Sequence, residues 1–416
     1  MVMIKPFKGI TPNPIYARYI ASLPYDVMNF EEAKSIVANN QKSFLRVEKS
    51  EVDFDSEISI SSDLIFKKAA ENLNQMLDSD ILHQDSIPNL YIYQQQMGEH
   101  IQTGLVCCSS INDYNNDIIK KHEFTRKDKE DERASHINIA NANTGPVFLV
   151  YPHKKTLDAI TDKITSGMPH INFVSDDNVR HTLWKISDSK LISKIESIFQ
   201  NMPSTYIADG HHRAAAASRV QKIRMSANTS HTGNEEYNFF LTVLFPDSHV
   251  KIMDYNRVLK DLNGMTEKDL LSKLSSKFKI QKLDIANPED AKPTKQKQFS
   301  MFLGNIWYHL DIKKKLIPKD PVNSLDASIL QNEVLSPFFG IDDPRTNKRI
   351  DFIGGIRGLE ELEKRCEIDC KVAFALHPVS INQIIKVANS GSVMPPKSTW
   401  FEPKLRSGMV IHKLSD

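Results

Sequence analysis

The run Asp209-Gly210-His211-His212-Arg213 is the stretch of this chain whose residue types and order most directly suggest chemistry. Ser204-Thr205-Tyr206-Ile207-Ala208 before it favours a strand, and Ala214-Ala215-Ala216-Ala217 with Ser218, Arg219 and Val220 favours a helix. A glycine at such a junction lets the backbone turn sharply, and the helix that follows begins with free N–H groups at its positive dipole end. Arg213 and two imidazoles at that end suit an anion, phosphate first among them. A second reading stays open, in which Asp209 caps the helix and the histidines lie on the surface. Successive helical residues project about 100° apart, so His211 and His212 should not ligate one metal together.

Three further groupings could carry chemistry. His122-Glu123-Phe124-Thr125-Arg126 opens the charge run from Lys120 to Arg133. A glutamate beside a histidine can act as a general base, or the pair can hold a divalent cation, whereas the run as a whole reads as a solvated helix face. Arg180-His181-Thr182-Leu183-Trp184 would put Arg180 and Thr182 on one face of a strand and His181 on the other, or simply form a half-buried strand. In Met394 to Lys404, Pro395-Pro396 stiffens the approach to Lys397-Ser398-Thr399, a cation and two hydroxyls in succession. That segment is either an oxyanion clamp or a rigid turn leading to a final strand, Met409 to His412. It lacks the glycines of a P-loop. No nucleophile elbow, His-Glu-x-x-His helix, dinucleotide fingerprint or helix-turn-helix pattern occurs.

The elements that must position these residues alternate irregularly. Helices are expected at Asn29–Asn39, with Asn29 as cap, at Asp63–Leu77 with Leu64, Ala69, Leu73 and Met76 buried, and at Leu191–Phe199. Further helices are expected at Met265–Phe278, Ser324–Phe338, Ile356–Arg365 and Ser380–Asn389. Strands are expected at Ser43–Val47, Pro146–Tyr151, Arg180–Ile186, Thr205–Ala208, Phe239–Leu244 and Val372–Leu376, with a hairpin turning at Met97-Gly98. Gln298–Ile312 is strand-like. Such a mixture favours an α+β fold with mixed sheets over a regularly doubly wound one. At 416 residues the chain can hold two or three domains. We expect an N-terminal α+β domain at 1–118, a phosphate-binding core at 119–260 and a C-terminal α+β domain at 261–416 that completes the site.

Lys and Arg number 53 against 52 Asp and Glu, so the charge gives no general attraction to nucleic acid or an anionic membrane. The start carries no apolar run fit for a signal peptide, and no apolar stretch is long enough to span a bilayer. The four cysteines show no zinc-site spacing, so reduced, mostly buried thiols and a cytoplasmic protein without a bound structural metal are expected.

Pro24-Tyr25-Asp26-Val27, Ser43 to Val47, His122-Glu123 with Thr125, Arg180 to Trp184, Ala208 to Arg213 and Met394 to Lys404 together resemble the domain-of-unknown-function family 1015. The Asp-Gly-His-His-Arg signature is also similar to the phosphate-binding motif of the ParB/sulfiredoxin superfamily, which includes free-serine kinases, nucleotide-hydrolysing DNA-segregation proteins and sulfiredoxin. That resemblance implies a ParB/sulfiredoxin-like core in which Gly210, His211, His212 and Arg213 bind nucleotide phosphates. Arg180, Lys397, Ser398 and Thr399 are candidates to assist them, while Glu123 as base, His122 and Asp209 are the catalytic candidates. It implies a kinase acting on a small hydroxylated metabolite such as free serine, with ATP or ADP and Mg²⁺, and allows a homodimer. The alternatives are a non-catalytic nucleotide-binding regulator and a metal-dependent hydrolase using His122, Glu123 and Asp209. Sulfiredoxin chemistry is disfavoured, because histidine stands where its motif needs cysteine.

Overall fold

The structure, a computed structural model, describes residues 1–54 and 62–415. It is an α+β fold of two compact units, Met1–Val250 with Pro403–Asp416, and Lys251–Glu402. In the first, Phe239–Pro246 is buried along its whole length, as its unbroken apolar sequence requires. It pairs in parallel with Val147–Tyr151 and antiparallel with His100–Ser110 at the heart of a nine-stranded sheet. Val147–Tyr151 continues to Thr205–Asp209 and Ile119–Lys120 on one side. Beyond His100–Ser110 follow Leu90–Met97, Val179–Ile186 and Ile171–Val174 on the other. The hairpin turns at Met97 and Gly98 as expected. The expected 118/119 boundary falls inside this one sheet, which takes strands from both sides of it.

The helix His211–Ala227 is wedged between two apolar clusters. Ala214 and Ala217 join the core of the sheet, and Ala216 and Val220 pack with Ala134 and Ile137 of helix Lys127–Ala140. Small side chains on both faces permit that close fit, so the alanine run is a packing device as well as a helix former. The charge run therefore has a dry side: His122 and Arg133 are buried, against the expectation of a solvated face. Asn29 caps Phe30–Asn39 through a reciprocal bond pair with Glu32.

Two local expectations fail. Ser43–Val47 is not a strand; Leu45–Glu48 forms a helical turn. Phe44, Leu45 and Val47 are all buried there, and a half-exposed strand cannot bury successive residues on one side whereas a turn of helix can. In helix Ser62–Asp78, Leu64 is exposed and Phe66 takes the buried place with Ala69, Leu73 and Met76.

The second unit is an antiparallel six-stranded sheet in the order Phe278–Lys282, Ile306–Ile312, Gln298–Leu303, Val372–Leu376, Tyr255–Leu259, Ile350–Gly354. Separate apolar clusters cover its two faces, one around Phe299, Phe339 and Phe374, the other around Phe302, Trp307 and Leu362. The expected helix Ser324–Phe338 is broken by a π segment, Gln331–Leu335, between Asp326–Leu330 and Ser336–Phe339.

Candidate phosphate site

Strand Thr205–Asp209 meets Val147–Tyr151 with a register shift between Ile207 and Asp209, an irregularity that re-aims the strand's last side chain. The Asp209 carboxylate consequently lies 3.0 Å from the Lys404 ammonium. Burial works against the ionised Asp209, but Lys404 and Arg213 outweigh it and hold the carboxyl well below the usual range. Gly210 follows at φ +94°, where a Cβ would sit 3.3 Å from Arg213 Nε and 3.4 Å from the Val147 Cα. The backbone angle demands glycine, and the space around it is tight. The helix begins at His211, with Ala214 N–H donating to the Gly210 carbonyl at 3.0 Å. Its N-cap position carries no side chain, and Asp209 is engaged by Lys404 rather than capping. The helix-cap reading of Asp209 is thereby replaced.

Arg213 bends back to donate to the Pro146 carbonyl. Burial opposes its charge, but Asp209, Asp26, Tyr25 and Glu48 together raise its pKa. Around it lies a buried polar cluster. Glu48 is 3.7 Å from Arg133, and the Arg133 guanidinium stacks 3.9 Å over the Tyr25 ring. Burial first, then Asp26, pushes the Tyr25 hydroxyl up to about 12. Tyr25, Glu48, Arg133, Gly145 and Arg213 line a cavity of about 20 Å³, room for a water molecule.

The histidines form a dry group on the other side of the turn. His122 and His211 stack edge to face at 4.5 Å between ring centroids, both buried. Burial pushes His122 down to about 4 and, with His122 as neighbour, His211 well below its ordinary value, so both rings are neutral at pH 7. Glu123 presents its carboxylate 3.5 Å from His211 Nδ1. His212 points elsewhere, accepting the Arg126 N–H at 3.1 Å, so the neighbouring imidazoles do diverge.

A family model described as "protein of unknown function (DUF1015)" matches residues 4–328. The chain belongs to the DUF1015 family. The matched span includes the Asp209–Arg213 turn, while Met394 to Lys404 lies beyond it. No curated protein matches this DUF1015 member. Similar solved structures include a free serine kinase mutant in complex with AMP, at 13% identity over 68% of this chain and 84% of that one, TM-score 0.34. SbnI with a C-terminal truncation, from Staphylococcus aureus, is similar at 10% identity over 71% and 82%, TM-score 0.35. A conserved hypothetical protein from Pyrococcus furiosus is similar at 14% identity over 70% and 90%, TM-score 0.33.

Of the residues singled out from the sequence of this DUF1015 chain, Asp209, Gly210, His211, Arg213, His122 and Glu123 come together, and His212 turns away. Arg180 is exposed on strand Val179–Ile186 and donates to Asn172 at 3.1 Å. Lys397, Ser398 and Thr399 lie in the second unit. There Lys397 has φ +54° and reaches over the Tyr255 ring at 5.6 Å, while the Ser398 hydroxyl donates to the Pro395 carbonyl at 2.7 Å. The lysine that meets Asp209 is instead Lys404, the last residue of the same segment. It is seated by Gln95, which donates to the Lys404 carbonyl at 2.9 Å, and by buried Arg406, which ion-pairs with Asp177 beside His181. Tyr25 and Asp26, quoted for the family likeness alone, prove to surround Arg213; Glu48 and Arg133 had no signal beyond charge. All four cysteines are free thiols, and burial raises each of them, Cys107 up to about 12 and Cys370 up to about 11. None has the depressed pKa of a nucleophile. Among the described residues no helix is long and apolar enough to cross a membrane.

Proposed function

We propose that this chain is a nucleotide-dependent phosphotransferase acting on a small hydroxylated metabolite, free serine or a relative, with ATP or ADP as phosphate donor. The observation that carries this reading is the strand–Gly210–helix junction, flanked by Lys404 and Arg213. A phosphate there would meet backbone N–H groups of His211 to Arg213, the positive helix end and two cations, the elements phosphoryl transfer needs for positioning and charge stabilisation. In the transfer the acceptor oxygen bonds to phosphorus as the bond to the nucleotide's leaving oxygen breaks. The acceptor's proton goes to the Glu123 carboxylate, which His211 Nδ1 orients at 3.5 Å. Neutral His122 and His211 keep that side of the site from adding a fixed charge next to the base. Mg²⁺, when bound, would neutralise developing charge on the phosphate oxygens. Among the described residues no three His, Cys, Asp or Glu side chains converge on a point fit for a metal, so Mg²⁺ would be held by nucleotide phosphates and water with few protein ligands. The same fact weighs against the metal-dependent hydrolase, whose proposed ligand Asp209 is already paired with Lys404.

Calorimetric titration with ATP and ADP, with and without Mg²⁺, followed by product analysis with free serine, tests the proposal. Nucleotide should bind, and Glu123→Gln should keep that binding while losing about 100-fold or more in turnover. Binding without turnover on any hydroxylated amino acid would favour the non-catalytic regulator, and absence of nucleotide binding would overturn both.

A further inference from the structure

Arg257 stands on the interior strand Tyr255–Leu259 of the second unit and is 4% exposed. Its guanidinium donates to the Tyr255 carbonyl and lies 5.3 Å from the Phe352 ring. None of the ion pairs among the described residues includes it, and burial, opposed only by Tyr255, lowers its pKa to about 10. A guanidinium has several N–H donors in a fixed fork, and a buried cation lacking a carboxylate is costly. None of its nitrogens is both sealed and unbonded. Arg257 lines a cavity of about 290 Å³.

Half of the residues lining that cavity are apolar, Ala327, Leu335, Pro344, Pro395 and Pro396, and the others are polar or charged. Gln331 and Leu335 reach it from the π segment, a helix irregularity that often marks functional sites. Gln331 is already committed, donating to the Ile341 carbonyl at 2.6 Å. Of the remaining charged residues, Arg345 and Asp343 neutralise each other through two bonds of 2.9 Å. Asp342 is exposed and accepts from Ser336 at 2.5 Å. Of the two arginines lining the cleft, Arg257 is the one without an ion-pair partner among the described residues, and Asp342 is the carboxylate without one.

We propose that the second unit binds a small organic monocarboxylate, its carboxylate forked onto Arg257 and its apolar body against Ala327, Leu335, Pro395 and Pro396. A single arginine with a carboxylate nearby at Asp342 suits one negative charge, and a phosphate dianion would want more cations. The volume is at the small end of ligand pockets, about 300 Å³, which limits the guest to a short chain or small ring.

The test uses the full chain. Melting temperature and titration calorimetry are recorded with butyrate, valerate, benzoate, the matching neutral amides and inorganic phosphate. At least one carboxylate should bind saturably and raise the melting temperature, with its amide at least tenfold weaker. Arg257→Gln should abolish binding. Should that variant fail to fold, Pro396→Trp, which fills the half-buried mouth, should block the same ligand in a folded protein. Equal binding of acid and amide, binding of phosphate in preference to carboxylates, persistence of binding in a folded Arg257→Gln or Pro396→Trp protein, or no binding at all would each overturn the proposal.

Discussion

Two arginines, one in each unit, show how surroundings decide what a buried cation is for. Arg213 sits among Asp209, Asp26, Tyr25 and Glu48, and those neighbours raise its pKa despite burial. Arg257 has a backbone carbonyl and an aromatic face, and its pKa falls to about 10. Arg213 is part of a network whose members depend on one another. Arg257 adds little to folding and holds its charge in reserve. A compensated cation resists substitution through stability, and an uncompensated one through binding.

That contrast can be broken most forcefully at Lys404. Lys404→Met leaves Asp209 without its ion-pair partner and should cost about 2 kcal/mol in denaturant unfolding, below the figure of about 3–5 kcal/mol for a fully buried pair. Asp209→Asn in the same protein should recover a large part of that loss. A double-mutant cycle with no coupling would show that Lys404 and Asp209 do not stabilise the fold as a pair.

Acid sharpens the picture next. His122 takes its proton at about 4 in the folded chain and near 6.5 when unfolded. Its contribution is thus complete above pH 6.5 and declines as the pH falls toward 4. Asp209, depressed by Lys404 and Arg213 against its burial, extends the loss to still lower pH, below the usual carboxylate range. His122→Phe should flatten the stability curve between pH 6.5 and 4 by up to about 3 kcal/mol, while the curve of an Arg257→Met protein should keep its slope in that window. Parallel curves for wild type and His122→Phe would show that His122 does not titrate there.

Arg213→Ala should weaken nucleotide binding tenfold or more, about 1.5–3 kcal/mol for a charge-assisted contact. Unchanged nucleotide affinity in the folded variant would remove Arg213 from the proposed site. The smallest change belongs to the other arginine: Arg257→Met should fall within about 1 kcal/mol of wild type in unfolding, or be more stable, because no carboxylate is orphaned. A loss comparable to that of Lys404→Met would end the contrast.

The turn at Asp209–Arg213 was readable because its causes are local. A strand-prone run, one glycine and an alanine helix dictate a turn with exposed N–H groups whatever else the chain does. The Asn29 cap and the Phe239–Pro246 strand were legible for the same reason. The Ser43–Val47 segment misled because a short apolar run fits a strand or a turn of helix equally, and only its surroundings choose. Membership of the DUF1015 family was also carried by the sequence, through motifs spread along most of its length. What surrounds the turn was not legible. Lys404 reaches Asp209 across 195 positions, and Tyr25, Glu48 and Arg133 approach Arg213 from segments with no pattern linking them to it. In Met394 to Lys404 the eye goes to Lys397, yet it is Lys404, seated by Gln95 and Arg406, that meets the carboxylate. The sequence by itself determined where the strand–glycine–helix turn would form, because backbone geometry and helix polarity act over a few residues. Tertiary structure alone decided which charges are compensated and which are left for a ligand, because desolvation and ion pairing act through space.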